Sequence, residues 1–258
     1  MRASLIQIGV DPDETPESRR ARAGALVRAH AGADLIVLPE LWPMGAFAYD
    51  LFAPEAEALD GPTATAMAAA ARDADVWLHA GSIVERTADG DLYNTSLVFA
   101  PDGQLAATYR KIHRFGFAKG EKELMEAGEQ PVTLAALGTT LGLATCYDLR
   151  FPELFRLLVD GGAQVLLLPA GWPEKRRAHW TVLAQARAIE SQAYVLACGT
   201  AGTHAGVPQA GHSMIIAPDG EILAAAEDAE EQVITADLDL AAVAKYRESF
   251  PALKDRQL

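Results

Sequence analysis

The sequence predicts an α/β layered fold, with two sheets packed together and helices outside. Three observations carry this. Short, near-continuous apolar runs rich in Leu or β-branched residues recur along the chain, which suits strands covered on both faces. Helical patterns lie between several of them, and strand–helix alternation implies layers. A segment also echoes itself: residues 94–108 read NTSLVFAPDGQLAAT and residues 211–225 read GHSMIIAPDGEILAA. Each copy places a strand on either side of Ala-Pro-Asp-Gly, and Asp-Gly is a strong hairpin signal.

The first expected strand is 4–10. Residues 14–31 are rich in Ala and Arg, carry apolar residues at helical spacing and meet a stop at Gly32. A strand follows at 34–39, and the Ala-rich 63–74 reads as a helix. Further strands are expected at 77–83, 96–100 and 140–146. Residues 152–161 open on Pro and close on Gly161-Gly162, the usual asymmetry of helix ends. A strand at 164–169, a helix at 179–192 and strands at 194–198, 213–217 and 232–237 complete the set. No linker, charge block or low-complexity stretch interrupts the chain, so residues 1–258 are expected to form one domain. The last segment, AVAKYRESFPALKDRQL, reads as too polar and too loosely patterned to finish a core.

Lys and Arg number 22 against 35 Asp and Glu, a net charge of −13. That balance argues against a nucleic-acid partner and against adhesion to an anionic membrane. It does not argue against a small anionic substrate, because a local pocket can be positive inside a negative protein. Two cysteines exclude a disulfide scaffold and any all-cysteine structural zinc site. The apolar run at 5–10 is shorter than a signal-peptide core, and the longest, at 165–170, is far below the roughly 18 residues of a membrane span. A soluble, cytoplasmic protein is expected. There is no G-x-G-x-x-G, no P-loop and no His-Glu-x-x-His, so neither a nucleotide cofactor nor a metal is expected.

Three residues at segment ends form a coherent chemical set. Glu40 ends LIVLPE, Lys111 follows the first hairpin in TYRKIHRF, and Cys146 opens CYDLRFPEL. In layered α/β folds, functional groups collect beyond the carboxyl ends of strands. A thiol is mostly protonated at neutral pH, a nearby carboxylate can take its proton, and a fixed cation can stabilise the oxyanion that thiolate attack on an amide creates. Singly, each residue also has an ordinary reading: a solvated Glu, a surface Lys, a small buried thiol.

Together, LPELW, YRKIHRF and CYDLRFPEL in this order resemble the nitrilase, or carbon–nitrogen hydrolase, superfamily over essentially the whole chain. The resemblance implies a four-layer αββα sandwich of two mixed sheets with outer helices. It also implies a Glu–Lys–Cys triad: Glu40 as general base, Lys111 as oxyanion-stabilising lysine and Cys146 as nucleophile, with the N–H of Tyr147 as the other oxyanion donor. A second family glutamate, seven positions before a Gly, corresponds to Glu121 before Gly128, chosen over Glu123, Glu126 and Glu129. A homodimer or larger homo-oligomer is implied too, with the C-terminal tail reaching across to a partner. Cys198 reads as a buried structural thiol and His113 as a residue of the surrounding shell. Asn94-Thr95-Ser96 matches a glycosylation pattern in a chain with no expected secretion signal.

The segment PAGWPEKRRAHW, followed by LAQARAIESQ, resembles the ω-amidase and short nitrilase-like amidase branch. The resemblance implies hydrolysis of the terminal amide of a small α-keto or carboxylate-bearing substrate to acid and ammonia through a thioester. Trp172 is then a candidate pocket wall. Lys175, Arg176 and Arg177 are candidates for binding a substrate carboxylate. Gly199-Thr200-Ala201-Gly202 departs from the Asn-Arg continuation common in that branch. An N-carbamoyl amino acid amidase, a deaminated-glutathione amidase and an aliphatic amidase stay open, as does an inactive scaffold. A thiol redox sensor would need a resolving cysteine, and nothing in the sequence pairs Cys198 with Cys146.

Overall fold

The computed structural model describes residues 1–117 and 119–257. Among them, twelve strands build two six-stranded sheets. In chain order these are β1 (Arg2–Gln7), β2 (Leu35–Val37), β3 (Trp77–Arg86), β4 (Leu92–Phe99), β5 (Leu105–Arg110), β6 (Val132–Ala136), β7 (Thr139–Leu143), β8 (Val165–Ala170), β9 (Tyr194–Gly199), β10 (Met214–Ile216), β11 (Ile222–Ala225) and β12 (Gln232–Asp237). One sheet runs β12-β1-β2-β3-β4-β5 and the other β11-β10-β9-β8-β7-β6. The main helices are α1 (Pro16–Ala29), α2 (Pro62–Ala74), α3 (Pro152–Asp160), α4 (Arg177–Ser191) and α5 (Leu240–Ser249). Among the described residues, no helix is long and apolar enough to cross a membrane.

Both sheets are mixed, and they repeat one pattern. In the first, β12 runs antiparallel to β1, β1–β2–β3 are parallel, and β3–β4–β5 are antiparallel. In the second, β6 is antiparallel to β7, β7–β8–β9 are parallel and β9–β10–β11 are antiparallel. The echoed segments are the equivalent hairpins, β4–β5 and β10–β11.

Strand alternation sorts the side chains into layers. Ala3, Leu5, Leu35 and Val37 share a core with Leu141, Leu143 and Leu167 of the second sheet. Ile6, Ile36, Leu38 and Leu78 point the other way, onto Val27, Met67 and Ala71 of α1 and α2. Leu154 and Phe155 of α3 and Trp180 and Ala188 of α4 cover the second sheet. The helices begin where the sequence signals a start: Thr15 caps α1 by accepting from the N–H of Ser18, and Pro opens α1, α2 and α3.

Three expectations are corrected. The strand expected at 140–146 stops at Leu143, because Cys146 begins a separate 3₁₀ turn, Cys146–Arg150. Strand β6 was hidden in a half-exposed alternating run, VTLAA, which lacks the continuous apolar stretch of the others. The C-terminal segment does finish a core on its own chain. Val243 of α5 is buried, and Arg247 donates to the carbonyls of Ala163, Ser191 and Gln192. Its polarity misled because one arginine, not an apolar stripe, holds the helix down.

Candidate active site

The loops after β2, β5 and β7 converge on one cleft of about 400 Å³, its open mouth included. Glu40, Lys111, Glu121 and Cys146 line it, and none is more than 6% exposed. Ala46, Phe47, Tyr49, Phe115, Tyr147 and Trp172 form walls, and Arg150 and Arg176 also line it.

Local backbone features set each group. Glu40 leaves β2 on a loop pressed against β3. Gly81, at φ +70° in a bulged stretch of β3, makes this approach possible, because a Cβ there would lie 1.9 Å from the Pro39 carbonyl oxygen. The loop is then pinned by Leu41 N–H to Ser82 Oγ (3.1 Å) and by Trp42 Nε1 to the Ala80 carbonyl (2.8 Å). Lys111 follows β5 directly, its N–H bonded to the Asn94 carbonyl (2.8 Å). Glu121 opens a one-turn helix, Glu121–Leu124.

Cys146 sits at φ +47°, a left-handed conformation that costs a non-glycine residue strain. Asp148, fully buried, holds this turn. Its carboxylate accepts from the N–H of Thr145 (2.8 Å), the hydroxyl of Tyr109 (2.7 Å) and the N–H of His113 (3.0 Å), and pairs with His113 Nδ1 (2.7 Å). The turn that bears Cys146 and the segment that bears Lys111 are thus tied through one side chain. His113 stacks on Phe151 with ring centroids 3.8 Å apart.

Inside the cleft, Lys111 Nζ donates to Glu40 Oε1 (2.7 Å) and to both oxygens of Glu121 (3.0 and 2.7 Å). Glu40 Oε2 accepts the N–H of Gly171 (2.8 Å), and the Cys146 thiol donates to the carbonyl of the same Gly171 (3.6 Å). Gly171 cannot carry a side chain, since its Cβ would lie 2.2 Å from that of Ala46. Phe115 N–H adds a bond to Glu121 Oε2 (2.7 Å).

These contacts fix the charges. Burial opposes the charge on Lys111, but Glu121 and Glu40 outweigh it and hold the ammonium well above its ordinary pKa. Burial pushes the Cys146 thiol well up, Glu40 adds to that, and Lys111 opposes it; the resting group is a thiol. Burial also raises Glu121, against the pull of Lys111. Tyr49 is pushed up to about 12 by burial and by the charges of Glu121 and Glu40.

The structure brings together Glu40, Lys111, Glu121, Cys146, Tyr147, Trp172 and Arg176. It does not bring Lys175 or Arg177 into the cleft. Lys175 is exposed, and Arg177 turns to Glu174 (3.5 Å) and His212 (3.0 Å). The 3₁₀ turn Glu174–Arg176 splays three consecutive cations in different directions, so only Arg176 reaches the site. Cys198 is fully buried and donates to the carbonyls of Ile6 and Val37; burial raises its pKa. Sequence reasoning missed Arg150, which lies within the CYDLR motif itself, one 3₁₀ turn beyond Cys146. It also missed Asn94, Tyr49 and Phe115; the Asn94 signal was present as a polar run inside an apolar strand.

Comparison with known proteins finds relatives that span nearly the whole chain. The carbon-nitrogen hydrolase family profile matches residues 2–248. A 2-oxoglutaramate amidase from Paenarthrobacter nicotinovorans is 44% identical over 98% of this chain and 88% of its own. The human omega-amidase NIT2 is 33% identical over 99% of this chain and 95% of its own. A CN-hydrolase superfamily protein from Xanthomonas campestris, whose crystal structure carries an arsenic adduct in the active site, superposes with a TM-score of 0.91 at 32% identity, covering 100% of this chain and 97% of that one. The chain belongs to the carbon-nitrogen hydrolase family, whose members hydrolyse non-peptide carbon–nitrogen bonds.

Proposed function

We propose that residues 1–258 work as one catalytic domain, a cysteine amidase that hydrolyses the terminal carboxamide of a small α-keto acid such as 2-oxoglutaramate. The observation that carries this is the convergence of Glu40, Lys111, Glu121 and Cys146 in one cleft beside two arginines. The amidases named above support the substrate class.

The chemistry follows from the geometry. As Cys146 Sγ attacks the amide carbon, its proton passes to Glu40. The carbonyl oxygen becomes an oxyanion held by the Lys111 ammonium and the N–H of Tyr147, one of the unpaired donors at the start of its 3₁₀ turn. An ammonium has three N–H groups: one serves Glu40, one can be shared by the two oxygens of Glu121, and the third is left for the oxyanion. Glu40 returns the proton to the departing nitrogen, and ammonia leaves a thioester. Water, deprotonated by Glu40, attacks the thioester; the acid departs and Cys146 regains its proton.

Arg150 and Arg176 form the carboxylate subsite. Arg150 stacks 4.9 Å over the Trp172 ring and Arg176 lies 5.9 Å from the Phe115 centroid. Neither is in an ion pair among the described residues. Both are held by aromatic faces; Arg150 places one NH2 group on His179 Nδ1 (3.2 Å), and the remaining N–H groups of the pair are available to an anion. The exposed Leu157, Val182, Ile189 and Phe250 on and beyond α3, α4 and α5 suit a homodimer interface. A reactive thiol that must stay reduced suits the cytoplasm.

A panel of amides tests the substrate. Turnover of 2-oxoglutaramate should exceed that of a neutral aliphatic amide of equal length by about 100-fold, the worth of a well-placed charged hydrogen-bonding pair. Equal rates would overturn the carboxylate subsite, and faster hydrolysis of an N-carbamoyl amino acid would move the assignment to a carbamoylase.

A further inference from the structure

The glycosylation-like triplet Asn94-Thr95-Ser96 is buried in β4, and its first residue stands behind the cleft. Asn94 is 3% exposed and does not line the cleft. Its Nδ2 group donates to Glu40 Oε1 (2.8 Å) and to Glu121 Oε1. Both amide protons are thereby spent on two carboxylates that also share Lys111. The other end of the amide, Oδ1, is buried with no partner among the described residues. An asparagine retained for packing would satisfy both ends, since a buried unpaired oxygen is costly. This one is placed for donation alone.

The two oxygens of Glu40 are consequently unequal. Oε1 receives two donors, Lys111 Nζ and Asn94 Nδ2, whereas Oε2 receives only the N–H of Gly171. The Cys146 thiol donates to the carbonyl of that same Gly171, which places Oε2 on the thiol's side. We propose that Asn94 is a positioning residue that saturates Glu40 Oε1, so that Oε2 is the oxygen that takes the Cys146 proton. The proposal rests on the reading of Glu40 as general base. Without the Asn94 donor, Oε1 gains a free lone pair on the side away from the thiol. Glu121 also loses a hydrogen bond to its charged form, which raises its affinity for protons. The other charged or titratable groups facing the pair are Lys111, Cys146 and Tyr49.

The test is the pH profile of kcat/KM on 2-oxoglutaramate for Asn94→Leu, which keeps the shape and removes both donors, and for Asn94→Ala. The expected result is a kcat loss of about 10- to 100-fold with KM within about threefold, and an acid limb moved up by about one pH unit. Thr95→Val, on the opposite face and bonded to Glu85, perturbs the same strand and should leave the limb in place. Glu40→Gln separates the two readings. If it loses turnover while both Asn94 variants keep the wild-type limb and kcat, the role of Asn94 is overturned and the base stands. If Glu40→Gln keeps turnover, the base reading falls and takes this proposal with it. Should both Asn94 variants fail to fold, ¹⁵N NMR of the wild-type protein decides. The Asn94 side-chain amide signal should titrate together with the acid limb, and a signal that stays put overturns the proposal.

Discussion

At the scale of single residues, the proposed mechanism divides the cleft into groups that react and groups that recognise. Cys146→Ala removes the nucleophile from a strained turn without touching Asp148, so the fold should persist. Turnover should fall on the order of 10⁴-fold or more, checked by ammonia release beside an unchanged thermal melt. Arg150→Ala should raise KM for 2-oxoglutaramate about 10- to 100-fold, since one charge-assisted pair is lost. A neutral aliphatic amide should be hydrolysed within about twofold of wild type, and a parallel loss on both substrates would count against the subsite. Glu40, Lys111 and Cys146, to which the proposal gives the reacting roles, were legible because each sits in a motif at a segment end. Arg176 and Arg177 were not separable in sequence, because adjacent identical cations diverge only when a 3₁₀ turn assigns their directions. Asn94 stood out in the sequence only as part of a polar run inside an apolar strand; its role was hidden because its partners lie 54 and 27 positions away.

At the scale of elements, apolar content marked nearly every buried strand, and Pro and Gly marked three of the helices. What escaped were elements held by polar contacts. Strand β6 alternates between intermediate, exposed and buried positions at the edge of its sheet, and α5 is anchored through a guanidinium. Arg247→Ala should strand the carbonyls of Ala163, Ser191 and Gln192 and cost about 1–3 kcal/mol. A lowered urea midpoint with unchanged kcat at low denaturant is the expected readout. The Cys146–Arg150 turn shows the same dependence on polar ties. Three donors and a histidine converge on Asp148, a pattern distributed over residues 109–148 that no local window reveals.

At the scale of the whole molecule, two buried histidines set a pH limit on stability. Burial lowers His79 and His204 to about 4. In the unfolded chain each titrates near 6.5. Between these values the unfolded state binds more protons, so stability is full above about pH 6.5 and is lost as pH falls toward 4. Each histidine contributes up to about 1.4 kcal/mol per pH unit in that window. Urea midpoints measured from pH 7 to 4.5 should fall accordingly, and His79→Gln should flatten the dependence. The two-sheet architecture was visible in the repeated hairpin, but the way the last strand closes the first sheet was not. A pairing over 230 positions leaves no periodic trace in the chain.

That closure governs when the enzyme can exist during its synthesis. Glu40, Asn94 and Lys111 belong to the first sheet, and Cys146 and Gly171 to the second. All of these residues have been made once the ribosome passes position 171. Yet the first sheet's opening strand pairs on one side with β12, residues Gln232–Asp237, and its core is open until that strand arrives. A nascent chain holding every reactive group is therefore expected to be inert. The first turnover waits for a strand that contributes no side chain to the cleft, so a reactive thiol is not switched on before the protein around it is whole.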